Sequence, residues 1–272
     1  MTYLFDPDNW EWVWTGNNFW FLLEGFFINI EIAAVAIVFS LIFGLILALM
    51  RISKRRLISF PAGIWVDWWR NLPLILIILY LGLAIPTSWR DAYEDAIPGF
   101  FPEALESGLV LGGLLALVLY NSAVLCEIMR SGILSLDRGQ HEAAASLGLT
   151  YFQQMRFVIL PQGLRRMVPA TVSQLITLNK DTTLVTIIAI SEVIGHAGSV
   201  NTTSAVLTGV PAPILQVYLM VGFFFVVVNL SLSRLSRRLE IRERKRLGTK
   251  VKRVEGLEDQ VALETDVTGP PR

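Results

Sequence analysis

The sequence predicts an all-α polytopic membrane protein with five transmembrane helices, N-terminus outside and C-terminus cytoplasmic. Three observations carry that reading. Of 272 residues, 53% are hydrophobic and only 17% charged, and the mean hydropathy is +0.54; that is more apolar than a soluble domain of ordinary composition. The apolar residues gather in five runs long enough to cross a bilayer. Lys and Arg crowd alternate connections, the pattern of the positive-inside rule for an odd number of spans.

Met1 to Asn18 holds Asp6, Asp8 and Glu11 among Trp10, Trp12 and Trp14, without Lys or Arg. It lacks the basic start of a signal peptide, and tryptophan suits the membrane interface, so residues 1–18 are expected as an external interfacial lead-in. The first span is expected over Phe19 to Met50, with Glu24, Asn29 and Glu31 turned to water or protein. Arg51, Lys54, Arg55 and Arg56 mark a cytoplasmic flank. A second span, Ala62 to Ile85, is interrupted by Asp67, Arg70, Asn71 and Pro73. An external loop rich in acid follows, with Asp91, Glu94, Asp95, Glu103 and Glu106 against Arg90. The third span is expected over Leu109 to Met129. Arg130, Arg138, Arg156, Arg165 and Arg166 make the next connection cytoplasmic. The fourth span is expected over Val168 to Ile190, His196 to Pro213 as an external loop, and the fifth span over Ile214 to Leu232. Arg234, Arg237, Arg238, Arg242, Arg244, Lys245 and Arg246 bring the C-terminus inside. From Gly248 the chain is polar and ends in Pro271 and Arg272, an expected disordered extension.

The cytoplasmic connection from Gln140 to Pro161 has structure of its own. Ser135 or Asp137 can cap a short helix carrying Glu142, Ala143, Ala144 and Leu147. Gly148 supplies a left-handed terminus. Thr150 with Gln153 reads as a capping box opening a second short helix, Tyr151 to Leu160, which Pro161 is expected to stop. Two short helices at an angle between spans form a knob that a soluble partner could grip.

Glu142-Ala143-Ala144, Gly148, Val158 and Leu160-Pro161 resemble the EAA loop of ABC transporter permeases, with Val158 where isoleucine is usual. The text around it, CEIMRSGILSLDRGQHEAA and LNKDTTL, is similar to the permeases that import polar amino acids, and the resemblance covers roughly Leu22 to Arg238. It implies a type I ABC importer permease architecture in a bacterial cytoplasmic membrane: a transmembrane permease domain over 19–238, a coupling loop over 136–161 that docks on an ATP-binding subunit, and a cytoplasmic tail over 239–272. It further implies a second permease chain, identical or homologous, and an external substrate-binding protein. Glu142, Ala143, Ala144, Leu147, Gly148, Leu160 and Pro161 are the coupling residues on this resemblance.

No Gly-x-x-x-x-Gly-Lys-Ser/Thr loop occurs in the chain, so ATP hydrolysis is expected on a separate partner, which would carry the ATP and magnesium; no cofactor is expected here. A net charge of zero makes nucleic acid an unsuitable partner. A single cysteine, Cys126, excludes an intramolecular disulfide and a cysteine-built zinc site. His141 and His196 show no ligand spacing. The intramembrane hydrolase alternative lacks a Gly-x-Ser-x-Gly elbow, and His141-Glu142 meets Ala145 where a zinc protease needs its second His. A stand-alone channel is the other alternative.

The path candidates are polar groups inside the spans. Asn179-Lys180-Asp181-Thr182-Thr183-Leu184 resembles the Lys-Asp-Thr-Ser-Leu signature of polar amino acid permeases. Lys180 and Asp181 are costly in lipid unless paired or facing water, and structural pairing is the favoured role, with substrate contact the other. Ser173-Gln174-Leu175-Ile176 stands where the family often has Asn-Glu-Phe-Ile, whose glutamate receives a cationic side chain in permeases of basic amino acids. Gln174 cannot stabilise a cation, which implies acidic cargo, glutamate or aspartate, or a neutral polar one such as glutamine; it could equally only bond another helix. Arg70-Asn71-Leu72-Pro73-Leu74 resembles the variant in glutamate, aspartate and general amino acid systems. Arg70 could bind a carboxylate or snorkel to the interface. Asn121, Ser122, Thr182 and Thr183 complete the set, and Glu127 is expected to pair with Arg130, three residues on. Gly108 and Gly112 are assigned to helix packing.

Overall fold

A computed structural model describes residues 6–14, 16–99, 103–208 and 213–246. Met1–Phe5 and Thr15 of the expected lead-in and the extension from Gly248 lie outside them. Every regular element among the described residues is helical. The long ones are α1 (Asn18–Ile52), α2 (Arg56–Asn71), α3 (Leu74–Ala84), α4 (Thr87–Ala96), α5 (Gly108–Leu134), α6 (Arg138–Ser146), α7 (Leu160–Asp181), α8 (Val193–Thr208) and α9 (Ile214–Arg246).

Three helices are long and apolar enough to cross a bilayer alone: Asn18–Ile52, Gly108–Leu134 and Ile214–Arg242. Two bent pairs also qualify, Arg56–Asn71 with Leu74–Ala84 at 99° and Tyr151–Ile188 with Val193–Ser204 at 53°. Among the described residues there are thus three to five candidate spans.

The most extensive contact joins α1 to α5, and α3 and α7 pack on other faces of α5. Close approach is built from small residues. A Cβ on Gly112 would lie 2.7 Å from the Gly82 Cα, and one on Gly44 3.0 Å from the Leu125 Cβ. Gly112 therefore packs as its spacing suggests. Around α5 lies one apolar core that includes Ala36, Ile78, Ala116, Leu117 and Val185. A second core joins Leu22, Phe26, Val193, Val217 and Phe224. A third includes Cys126, fully buried with Ala48, Val66 and Met129.

Several sequence expectations need correction. The second span is not one interrupted helix. Proline pushes its predecessor out of the helical region, and Leu72 and Pro73 are both extended, so the chain turns through 99°. The acidic connection contains α4, which is clipped onto α5 and back onto α3: the Glu94 carboxylate accepts from the Gly108 N–H of α5 at 2.6 Å, and Arg90 donates to the Gly82 carbonyl of α3. The Tyr93 hydroxyl donates to the Leu105 carbonyl at 2.8 Å, and burial pushes this phenol above its ordinary pKa.

The His196 loop is helix α8. Its start was hidden because Glu192 caps it from a position the sequence left between elements. His196 is 7% exposed and its ring lies 4.2 Å from that of Phe21. In the lead-in, Trp12 and Val13 are buried in the second core, whereas Trp14 is exposed.

Pro161 does not stop its helix. The run beginning at Tyr151 continues to Asp181, through a π turn at Met155–Ile159. The wider π turn falls where the proline ring would otherwise strike the carbonyl four residues back. The fourth span's helix therefore begins well before Val168. At the other end, Leu239–Arg246 extends α9 rather than leaving the helix.

Candidate functional site

The knob is shaped by local hydrogen bonds at its helix ends. Asp137, not Ser135, caps α6: its carboxylate accepts from the Gly139 N–H at 2.8 Å. Gly148 has φ +74°, the left-handed conformation that a Cβ penalises. The Thr150 and Gln153 capping box is complete. Arg166 donates to the Ser135 carbonyl at 2.7 Å and Gln162 to Gln140 at 3.0 Å, so α7 holds the knob from behind. Ala144 is buried at 2%, whereas Glu142 and Ala143 are exposed and Leu147 is 80% exposed. Leu160 is half-buried and Pro161 exposed. Leu147 is thus a large apolar side chain presented outward on a capped, glycine-ended helix.

Behind the knob, a charge cluster ties three helices. Glu127 receives Arg130 at 2.8 Å and Arg51 at 2.9 Å, and Arg51 also meets Asp67 at 3.1 Å. The Glu127–Arg130 pair forms as its spacing suggests. Arg70 is exposed beside this cluster without an ion pair among the described residues. Asn71 is also exposed, and its amide donates to the Asp67 carbonyl at 2.7 Å, closing the end of α2.

Mid-bundle, Asn121 and Gln174 are brought together. The Gln174 amide donates to the Asn121 Oδ1 at 2.8 Å, and the Asn121 amide donates to its own helix at the Leu117 carbonyl. Ser122, one residue on, is buried against α1 and bonds the Leu119 carbonyl. The remaining candidates split. Thr182 is fully buried, while Thr183 is half-buried with its hydroxyl on the Lys180 carbonyl. Lys180 is exposed and Asp181 half-exposed. No ion pair reaches either among the described residues.

The sequence reading missed Glu192, which is completely buried. It accepts from the Asn29 amide at 2.9 Å and the Ile194 N–H at 3.0 Å, and further bonds come from the Gly195 N–H and Thr186. Asn29 also donates to the Thr182 hydroxyl at 3.0 Å and accepts from the Val193 N–H at 3.1 Å. The network staples α1, the 3₁₀ turn Thr182–Ile188 and the start of α8. It closes a break at which Ala189 has φ +63°. No local pattern marks it: Glu is not among the preferred N-cap residues, and the partner that holds its carboxylate is the distant Asn29.

Comparison with known proteins agrees with this geometry. Residues 26–245 match the family model described as binding-protein-dependent transport system inner membrane component. The chain is 38% identical to the Probable glutamine ABC transporter permease protein GlnP of Bacillus subtilis (strain 168), over 82% of this chain and 94% of that one. It is 30% identical to the glutamate/aspartate import permease protein GltK of Escherichia coli O157:H7, over 79% and 90% respectively. The fold is similar to the crystal structure of an amino acid ABC transporter with histidines, with TM-score 0.67 and 25% identity, covering 82% of this chain and 94% of that one.

Proposed function

The chain belongs to the family of binding-protein-dependent transport system inner membrane components, and on that footing we propose that it carries acidic amino acids, glutamate or aspartate, into the cell. It is the permease subunit of an amino acid ABC importer, a multi-pass protein of the bacterial plasma membrane, and not itself an enzyme. A separate ATPase, a second permease chain and an external binding protein complete the machine. ATP and magnesium act on the ATPase.

The observation that carries the cargo reading is the Asn121–Gln174 pair. A neutral amide couple stands where a cationic substrate would need a carboxylate. Its hydrogen-bonding groups suit a polar side chain, and exposed Arg70 and Lys180 supply positive charge for a carboxylate. The identity with GlnP favours glutamine as a second reading.

The five-span count takes each bent pair as one span. With residues 1–18 outside, the basic flanks at Arg51–Arg56, the knob and Arg234–Arg246 then all lie in the cytoplasm. Residues 19–238 form the permease domain and 136–161 the coupling loop. ATP-driven closure of the ATPases pulls on Glu142, Leu147 and Gly148, and the rigid run from Tyr151 to Asp181 carries that movement toward Gln174 and Lys180. The path alternates between its two openings.

The test is ATP hydrolysis by the full importer reconstituted in lipid with its binding protein, in the presence of glutamate, aspartate, glutamine or arginine. Stimulation by an acidic amino acid, abolished by Glu142→Arg and by Gly148→Trp, is the expected result. Stimulation by glutamine alone selects the second reading, and stimulation by arginine alone overturns the argument from Gln174.

A further inference from the structure

We propose that the cytoplasmic end of α1 holds an anionic phospholipid of the inner leaflet, with one acyl chain in an apolar slot and the phosphate between Lys54 and Arg156. The slot, about 330 Å³, is formed by Leu49, Ile52 and Ser53 of α1 against Tyr151, Phe152, Met155, Arg156 and Leu160. Its walls are apolar, apart from the Ser53 and Tyr151 hydroxyls and the head of Arg156. Phe152 remains 69% exposed beside it.

The position of the slot argues for lipid. Phe39, Ile42 and Ile46 are exposed on α1. At spacings of three, four, three and four, the same stripe continues into Leu49 and Ser53, which line the slot. An acyl chain lying along that stripe in the bilayer enters the slot without leaving an apolar surface. The mouth is where the apolar span gives way to the basic run, the depth at which a phosphate sits.

Charge complementarity supplies the headgroup. The Lys54 ammonium lies 5.4 Å from the Tyr151 ring centroid and so stands over the slot wall. Arg156 lines the slot, and its guanidinium packs over the Phe157 ring at 5.6 Å. Arg55 is exposed next in sequence. No ion pair occupies Lys54, Arg55 or Arg156 among the described residues; the nearby carboxylates Asp67 and Glu127 are held by Arg51 and Arg130. The cations are thus free for a phosphodiester, and the aromatic contacts hold two of them in place.

The slot also adjoins the π turn at Met155–Ile159, so an occupying lipid would brace the segment that links the knob to the membrane. This inference uses the chain's membrane location but not its cargo. The test is read without transport, so failure of the cargo assignment leaves it standing.

The importer would be extracted into mild detergent, supplied with equal phosphatidylglycerol and phosphatidylcholine, and the retained lipid measured by native mass spectrometry. Selective retention of phosphatidylglycerol is expected, reduced about twentyfold in Lys54→Ala/Arg156→Ala, which loses two cations near the headgroup. Met155→Trp fills the slot without changing charge and should also lose the lipid. Arg242→Ala, a cation elsewhere, should keep it. Equal retention of both lipids, an equal loss in Arg242→Ala, or undiminished retention in Met155→Trp would overturn the proposal. A photo-crosslinker in place of Phe152 adds an independent reading. Capture of lipid supports the site; capture of the ATPase or the second permease overturns it.

Discussion

Asn179 and Thr182 turn into their own bundle, whereas between them in sequence Lys180 is exposed and Asp181 half-exposed. The inward pair is fully engaged. The Asn179 amide donates to Asn229 at 3.2 Å, and Thr182 joins the Asn29–Glu192 staple. The outward pair has no ion-pair partner among the described residues. Burying a polar group without a partner costs free energy, in lipid above all. The inward valences are therefore filled by the fold, and the charged heads of the outward residues are left outside that network. Neighbours on one turn of helix thus differ in whether the fold itself uses their polar atoms.

The inward face should break hardest where backbone meets backbone. Gly112→Val forces branched carbons onto Gly82, whose Cα would lie 2.7 Å from the first of them. A loss of about 3 kcal/mol is expected, at the upper end for overpacking, read as a lowered melting temperature of the purified importer. Glu192→Ala comes next. It strips the acceptor from the Asn29 amide and from the α8 N-terminus, at about 2 kcal/mol. Glu192→Gln keeps the shape and should cost less than Glu192→Ala. A melting curve for Glu192→Ala no different from that of the exposed Glu24→Ala would show that the staple does not hold the bend.

Smaller still is the Asn121–Gln174 bond, at about 1 kcal/mol on truncation of either partner, the scale of interhelical hydrogen bonds in membranes. Its informative variant is Gln174→Glu. A carboxylate there should let arginine stimulate ATP hydrolysis, with little change in melting temperature. If arginine remains inert, Gln174 only joins two helices.

Much of the local structure was legible in the sequence. The Gly148 terminus, the Thr150–Gln153 capping box and the Glu127–Arg130 pair are local, fixed by residues within four of one another, and all three are present. The apolar runs gave the long helices because burial in lipid leaves a compositional trace. Elements set by distant contacts were not legible. The π turn that carries the helix past Pro161 has no local signature, and α8 begins at Glu192 only because Asn29, 163 residues earlier in the chain, bonds its carboxylate. Similarly, the sequence does not show that the Asn71 amide closes α2 through the Asp67 carbonyl. A side chain's neighbours in sequence do not tell whether its hydrogen bonds are already used.

The smallest expected effect on stability is the sharpest test of the comparison. Lys180→Met and Asp181→Asn remove charges that no ion pair holds among the described residues, so the melting temperature should move by no more than a surface substitution does, about 0.5 kcal/mol. Uptake should nevertheless fall about tenfold, the ~1.4 kcal/mol expected when one charged contact outside the chain is lost. The double variant separates the two remaining roles. If Lys180 and Asp181 meet the same residues of a second permease chain, the double loss should be smaller than the sum and the importer should dissociate more readily in detergent. If they face the path, assembly should hold and the loss should vary with the amino acid supplied. Unchanged uptake in both single variants would mean that the outward face is merely solvated, and the contrast between the two faces would carry no functional meaning.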